Sequence, residues 1–148
     1  MSMPDDVPNE ITHRVRDSCL CLHTQRAARA LGRRFDAALR PVGLTSGQFS
    51  LLMSLNRAEP PTMGQVAALL AMERTTLTAN LKPLERRRLV SVTVDAADRR
   101  ARRMRLTPEG RKVLVAAVPI WEATHAQIER LLGGSSPDRL RADLRTLS

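Results

Sequence analysis

Apolar residues recur every three or four positions along most of the chain, the spacing of helices that bury one face. From Glu10 to Leu39 no proline interrupts this pattern, so it predicts a single long N-terminal helix. We expect this helix to be partly buried through one stripe of side chains: Val15, Cys19, Leu22, Leu31, Phe35 and Ala38.

A second helix is predicted after the turn at residues 40–48, which carry a proline and two glycines. Thr45 or Ser46 is expected to cap this helix, which reaches about Asn56. Four of its side chains are expected to face inward: Phe49, Leu52, Met53 and Leu55.

Two further helices follow in close succession. Thr62 and Gln65 have the spacing of a capping box, which predicts a short helix from Met63 to about Leu70. After a brief turn at residues 71–73 we expect another helix over residues 74–88, kinked at its internal proline. Its leucines at positions 77, 81 and 84 step by four and three and predict the buried stripe.

The apolar period changes to two after this helix. Val90, Val92 and Val94 alternate with polar residues, the pattern of a half-buried strand, and "DAAD" supplies a turn. The returning strand places Met104 and Leu106 inward and the arginines at 103 and 105 outward. The pattern predicts a two-stranded hairpin with a basic arm.

The remaining sequence is helical. Thr107 caps a long helix that runs to about Leu132 and is expected to kink at Pro119. Ser136 caps a final short helix to about Leu147. Residues 1–9 are expected to form a flexible tail. The fold class is therefore mainly α with a small β-hairpin, and residues 45–107 have the element order of a winged helix-turn-helix.

Charge supports a nucleic-acid partner. The chain has 24 basic and 15 acidic residues, a formal net charge of +9, and arginines supply 22 of the basic groups. Residues 74–112 carry +8 of this excess. Arginine presents a planar fork of donors that matches phosphates and base edges, so the expected partner is double-stranded DNA.

The helix over residues 74–88 shows a polar face directly opposite its leucines. This face holds Thr75, Thr78, Ala79, Lys82 and Arg86, with Thr76 and Asn80 flanking it and Arg74 at the helix start. A solvated surface helix is the alternative interpretation. Such helices usually mix acidic with basic residues, however, and this face carries no acidic residue. Short hydroxyls, an amide and cations are suited to the major groove.

The hairpin concentrates like charge at its tip and returning strand: Arg99, Arg100, Arg102, Arg103 and Arg105. These side chains repel one another in isolation, whereas on a phosphate backbone each neutralised phosphate releases about 0.9 counterion. A wing tip can also insert an arginine into a narrow minor groove. We interpret Asp98, the acid in this run, as an internal partner that fixes the turn and aims Arg100.

These motifs resemble a known family. Asp98-x-Arg100, followed by five residues, Leu106-Thr107 and then Pro-Glu-Gly110, is similar to the wing signature of the MarR family of bacterial transcriptional regulators. The preceding "MGQVAALLAMERTTLTANLKPLERRRLV" is similar as well, and the resemblance extends from about Cys19 to Trp121.

The resemblance implies a homodimer in which residues 10–44 and 108–148 form interlocking dimerisation helices. Each winged domain would read half of a pseudo-palindromic operator. From the basic helix and hairpin in tandem we expect the protein to act as a sequence-specific repressor. A small ligand or oxidant in the cleft between the dimer helices and the winged domain would release DNA. Carried over by position, the contacts are Thr75, Thr76, Thr78, Asn80 and Lys82 on the helix, and Arg100, oriented by Asp98, on the wing.

The two cysteines have competing interpretations. Cys21 lies at a spacing from "GLT" that resembles the reactive cysteine of the branch that senses organic hydroperoxides, but that branch supports its thiol with tyrosines and this chain has none. The alternative is a small buried hydrophobe. On a helix, Cys19 and Cys21 would point to roughly opposite faces and could not form a disulfide. Cys19 and His23 could share a metal but lack a third ligand.

Other classes of function are not favoured. No segment approaches the roughly 20 apolar residues of a membrane span, and the acidic N-terminus does not resemble a signal peptide, so we expect a cytoplasmic protein. No nucleophile-base pair or phosphate loop appears, and we expect no enzymatic activity and no cofactor. Trp121 and Met53 could line a ligand cleft, although core packing is the simpler interpretation. A non-specific architectural DNA-binding protein and a protein-binding winged helix stay open.

Overall fold

The computed structural model describes residues 6–148, which form seven helices and one hairpin. The helices are α1 (Asn9–Ser18), α2 (Leu20–Leu39), α3 (Ser46–Ser54), α4 (Met63–Leu69), α5 (Arg74–Arg86), α6 (Pro108–Leu131) and α7 (Pro137–Leu147), with a 3-10 turn at Arg40–Val42. The strands are β1 (Val90–Val94) and β2 (Arg102–Leu106). The predicted fold class is confirmed.

The single N-terminal helix was a wrong prediction. Cys19 adopts an extended conformation, with φ −72° and ψ 111°, and separates α1 from α2. Asp17, Ser18 and Cys19 are all weak helix formers, and the Cys19 thiol instead caps α2 by accepting from the Leu22 amide at 3.5 Å. The predicted tail is also shorter, because α1 begins at Asn9; residues 1–5 of that tail lie outside the described part of the chain.

Side-chain caps set the beginnings of α3, α4, α6 and α7 as predicted. Thr45, rather than Ser46, forms a capping box with Gln48, and Thr62 forms one with Gln65. The hydroxyl of Thr107 accepts from the Gly110 amide at 3.0 Å to begin α6, and Ser136 caps α7. Each oxygen satisfies an amide that has no partner within its helix.

The core lies where α3, α4 and α5 meet the hairpin, α2 and the first half of α6. Its fully buried side chains include the leucines of α5. Four side chains predicted to face inward are exposed: Val15 at 50%, Leu31 at 37%, Met53 at 41% and Val94 at 52%. Met53 borders a cleft, whereas Val94 pairs with Arg102 at the far end of the hairpin, beyond the core.

The hairpin is antiparallel, with Val90 opposite Leu106 and Val92 opposite Met104. Its second strand has a partner on the other edge as well. Thr62 forms a bridge to Arg103, and the Met104 amide donates to the Pro61 carbonyl at 3.0 Å. The hairpin is therefore fixed to the segment that leads into α4.

Both internal prolines lie within continuous helices, Pro83 in α5 and Pro119 in α6. The helix predicted over residues 74–88 ends at Arg86, because Arg88 turns left-handed, with φ 59°. The amides of Arg88 and Leu89 donate back to Glu85 and Leu84, the pattern of a Schellman end, and this reversal directs the chain into β1.

Candidate nucleic-acid interface

Helix α5 has one buried face and one open face. Leu77, Leu81 and Leu84 are buried in the core, in agreement with the predicted stripe. On the opposite side Thr75, Ala79, Lys82 and Arg86 are exposed and Thr78 is half-buried. Thr76, which is exposed, and Asn80, which is half-buried, flank this side, and Arg74 is exposed at the helix start. Glu85 is also exposed, beside Lys82 and Arg86 near the end of the helix.

Two polar residues of this face already have intramolecular partners. The Thr78 hydroxyl donates to the Arg74 carbonyl at 2.9 Å, which leaves its oxygen lone pairs and its methyl group available to a ligand. The Asn80 amide nitrogen contacts the sulfur of Met72 at 3.6 Å. Both contacts limit side-chain rotation, so the entropy lost on binding is smaller than for free side chains.

The wing loop is closed by backbone bonds. The Asp95 amide donates to the Ala101 carbonyl at 3.0 Å, and the Ala101 amide donates to the Asp98 carbonyl at 3.0 Å. The Asp98 carboxylate accepts from the backbone amide of Arg100 at 3.0 Å. The expectation that Asp98 holds the Arg100 side chain is corrected: Asp98 fixes the turn through the backbone, as an aspartate at the start of a turn commonly does.

The acid that pairs with an arginine side chain in the wing is Asp95. Its Oδ1 lies 3.1 Å from Nε of Arg103, and this contact holds the pKa of the Asp95 carboxyl below its ordinary value of 3.8. Arg103 Nη1 also donates to the Pro60 carbonyl at 2.6 Å. Sequence reasoning missed this arrangement and grouped Arg103 with the DNA contacts.

The other wing arginines extend into solvent. Arg99, Arg100, Arg102 and Arg105 are exposed, and Arg102 donates to the Arg99 carbonyl at 3.2 Å. The Arg103 side chain, by contrast, is 35% exposed. The wing therefore presents four exposed guanidinium groups, whereas the fifth, that of Arg103, is paired with an acid.

The cysteines differ in their surroundings. Cys21 is exposed on α2, whereas Cys19 is half-buried at the break between α1 and α2. The interpretation of Cys21 as a small buried hydrophobe is wrong, because this residue is exposed. Cys19 precedes α2 and is not helical, so the argument that the two thiols point to opposite helix faces does not apply. His23 Nδ1 lies 2.8 Å from the Cys19 carbonyl oxygen. Within residues 6–148 no group of three or more metal-ligating side chains occurs.

A cleft of about 450 Å³ lies where α3 and the end of α4 face α6. Trp121 forms one wall, stacked against Phe49 at 6.3 Å and against His125 at 4.8 Å between ring centroids. None of the side chains that line it carries a charge: Phe49, Ser50, Met53, Ser54, Leu69, Leu70, Val118 and Trp121. Trp121 and Met53 thus line a cleft. Of the two interpretations given for them, core packing was the simpler one, but the structure agrees with the cleft.

None of the described helices is both long enough and apolar enough to cross a bilayer. The helices and hairpin around the basic surface are those of the DNA-binding winged helix-turn-helix, with α4 and α5 as the helix pair.

Comparison with known proteins agrees with this geometry. The sequence model described as the MarR family matches residues 42–101. The transcriptional regulator HosA of Escherichia coli is 39% identical over 97 residues, which cover 64% of this chain and 68% of HosA.

Solved structures show the same similarity over a longer span. The Mycobacterium tuberculosis transcriptional regulator MosR, in complex with DNA, superposes with a TM-score of 0.79 at 43% identity, covering 88% of this chain and 93% of MosR. The transcriptional repressor CouR, bound to a 23-mer DNA duplex, superposes with a TM-score of 0.79 at 30% identity, covering 90% and 94%. The chain therefore belongs to the MarR family and is a transcriptional regulator with a DNA-binding winged helix.

Proposed function

We propose that this protein is a sequence-specific repressor that binds a pseudo-palindromic operator as a homodimer. The proposal rests on the fact that the polar and cationic face of α5 is followed directly along the chain by the basic hairpin. The face of α5 opposite its leucines carries hydroxyls, an amide and cations, and the chain then continues directly into a hairpin with four exposed arginines. The solved structures of MosR in complex with DNA and of the repressor CouR bound to a duplex support this use of the surface.

The two elements have different roles in the proposal. Thr75, Thr76, Thr78 and Asn80 meet base edges in the major groove, because short hydroxyls and amides form directional bonds there. The cations Arg74, Lys82, Arg86, Arg99, Arg100 and Arg102 bind phosphates or enter the minor groove, which supplies affinity without much sequence preference.

Exposed apolar faces on the terminal helices support the dimer. Neither α1 nor α7 contributes a buried residue within the described chain. Ile11 and Val15 lie one turn apart on α1, and Leu140 and Leu144 lie one turn apart on α7; all four are exposed. A second copy would cover these side chains, and two-fold symmetry would place two α5 helices in successive major grooves, about 34 Å apart.

The test is a binding titration against the region upstream of the protein's own gene, with a scrambled duplex of the same length as control. We expect a specificity ratio of about 10³ or more at physiological salt. A non-specific architectural protein, the alternative function, predicts a ratio near one. Failure to bind either duplex at low salt would instead support a protein-binding winged helix.

Two side-chain variants distinguish the recognition of bases by α5 from the charge-dependent binding of phosphates by the wing. Arg100→Ala should weaken binding to all duplexes and reduce the slope of log K against log salt by about one unit. Thr75→Val, which keeps the shape and the charge of α5, should change base preference and leave that slope unchanged. If both variants altered only the slope, the proposed reading of bases by α5 would be wrong.

The cleft beside Trp121 is the proposed effector site. It lies between the winged domain and α6, so a ligand there would contact both parts. Because no charged side chain lines it, the best-fitting ligand is a neutral planar aromatic molecule that stacks on the indole. Neutral phenols should raise the melting temperature and release DNA, whereas aromatic carboxylates should do so less, and Trp121→Ala should abolish the response.

Oxidation is the alternative release signal, supported by the exposure of Cys21. A thiolate that attacks a hydroperoxide becomes a sulfenate and releases the alcohol. The protonated sulfenic acid can then condense with a neighbouring thiol, which forms a disulfide and releases water. Cys21→Ser and Cys19→Ser should each be compared with the unchanged protein after peroxide treatment. Loss of DNA release in Cys21→Ser supports this route, and unaltered release in both variants excludes it.

A further inference from the structure

We propose that Arg103 is a positioning residue that sets the orientation of the wing relative to α5, and that it does not bind DNA. Its guanidinium contacts two separate parts of the chain. On one side Nε and Nη2 face the Asp95 carboxylate at 3.1 and 3.5 Å, and on the other Nη1 donates to the Pro60 carbonyl at 2.6 Å. One side chain on β2 therefore connects the end of β1 with the segment before α4.

The second observation is the backbone pairing beneath this contact. The Met104 amide donates to Pro61, and Thr62 bridges to Arg103. Thr62 is the residue that caps α4, and α4 is joined to α5 by a short turn at 70–73. A rotation of the hairpin relative to α4 would break the bond from Arg103 to the Pro60 carbonyl and the backbone pairing beneath it, whereas Asp95 holds the guanidinium from within the hairpin. These contacts therefore restrict the angle at which the wing and α5 meet the duplex.

The chemistry of the pair also argues against a phosphate contact. Asp95 neutralises the guanidinium locally, and three of the five arginine N–H donors are already directed at protein oxygens. Lysine cannot reproduce the arrangement, because a single ammonium lacks the planar fork that reaches two acceptors on different sides. Arg100 and Arg105, which are exposed, have no such neighbour among the contacts of the described chain.

The inference rests on the proposed contact between wing and DNA, and it is tested by removing each partner in turn. Arg103→Ala should weaken operator binding by about tenfold without changing the salt slope, since no phosphate contact is lost. Asp95→Ala is the sharper variant. It removes a negative charge from a DNA-binding surface, so electrostatics alone predicts tighter binding, whereas loss of positioning predicts weaker binding, again by about tenfold.

The double variant Asp95→Ala with Arg103→Ala should bind no more weakly than Arg103→Ala, because the two residues act as one unit. Arg103→Lys should recover only part of the affinity. Glu85→Ala is the matched control for removing an acid, and it should strengthen binding. A thermal unfolding curve for each variant verifies that the variant is folded at the temperature of the binding assay.

Two results would overturn the inference. A salt slope reduced by about one unit in Arg103→Ala would identify a phosphate contact of Arg103. Tighter operator binding by Asp95→Ala would show that Asp95 acts only through its negative charge and does not position Arg103. If Arg100→Ala left both the affinity and the salt slope unchanged, the proposed contact between the wing and DNA, on which this inference rests, would be wrong instead.

Discussion

The backbone carbonyl of Leu89 occupies the space where a side chain on Gly110 would begin. A Cβ atom built on Gly110 would lie 2.1 Å from the Leu89 oxygen. The same carbonyl accepts from the Thr107 amide at 3.1 Å, and the Thr107 hydroxyl donates to the Arg88 carbonyl at 2.7 Å. The first turn of α6 is thereby packed directly on the chain that enters β1, so the long helix and the winged domain share one rigid junction.

Gly110→Ala should therefore destabilise the protein by about 3 kcal/mol or more, because the obstructing atom belongs to the backbone and cannot rotate away. The measurement is the free energy of unfolding from urea denaturation. Gly134→Ala is the matched control, since nothing lies within 4 Å of the added methyl group. Equal stability of the two variants would show that α6 can shift away from Leu89 at little cost.

Introducing a glycine at position 71 should, by contrast, stabilise the protein. Ala71 ends α4 with φ 49°, and the amides of Ala71 and Met72 donate back to Ala68 and Ala67. Glycine is the usual residue at this position of a Schellman end, because a Cβ atom is strained there. Ala71→Gly should raise the free energy of unfolding by about 1 kcal/mol. Ala123→Gly, an exposed position within α6, should lower it by about 1 kcal/mol.

Local signals in the sequence predicted most of the fold, and partners distant in sequence were missed. The boxes at Thr45 and Thr62 are complete within four residues, and the alternation in β2 is visible in five. Arg103, by contrast, reaches Pro60 across 43 positions, and no local pattern encodes that contact. The break at Cys19 was missed because neither proline nor glycine marks it. One local signal for the Asp95–Arg103 pair was present, because Asp95 is an acid at the end of one strand and the returning strand is rich in arginine.

The Asp95–Arg103 pair makes part of the stability dependent on pH. The guanidinium of Arg103 lowers the pKa of Asp95 from 3.8, and partial burial opposes this shift. A lowered pKa in the folded state contributes stability that is complete above the unfolded value and is lost as pH falls through the folded one. The difference in unfolding free energy between the unchanged protein and Asp95→Asn should be constant above about pH 5 and should decrease below 3.8.

Arg103→Met provides the control for that titration, because it removes the cause of the shift and keeps the acid. Its stability deficit should shrink over the same acidic range as that of Asp95→Asn. A deficit that stays constant down to pH 3 would indicate that the pair does not contribute through charge. A change centred between pH 5 and 7 would point to a histidine instead.

Helix α7 leaves its three leucines, at positions 140, 144 and 147, exposed within the described chain. Leu144 is 41% exposed, one turn from Leu140. If a second copy covers this face, Leu144→Asp should shift the protein towards monomers in analytical ultracentrifugation. It should also weaken operator binding by about two orders of magnitude or more, because the two half-sites would no longer be bound by one molecule. Ala142→Asp places the same charge on roughly the opposite side of α7 and should leave assembly and binding unchanged. Dimers that persist in Leu144→Asp would place the interface elsewhere, whereas monomers that still bind the full operator tightly would show that duplex recognition does not require two subunits.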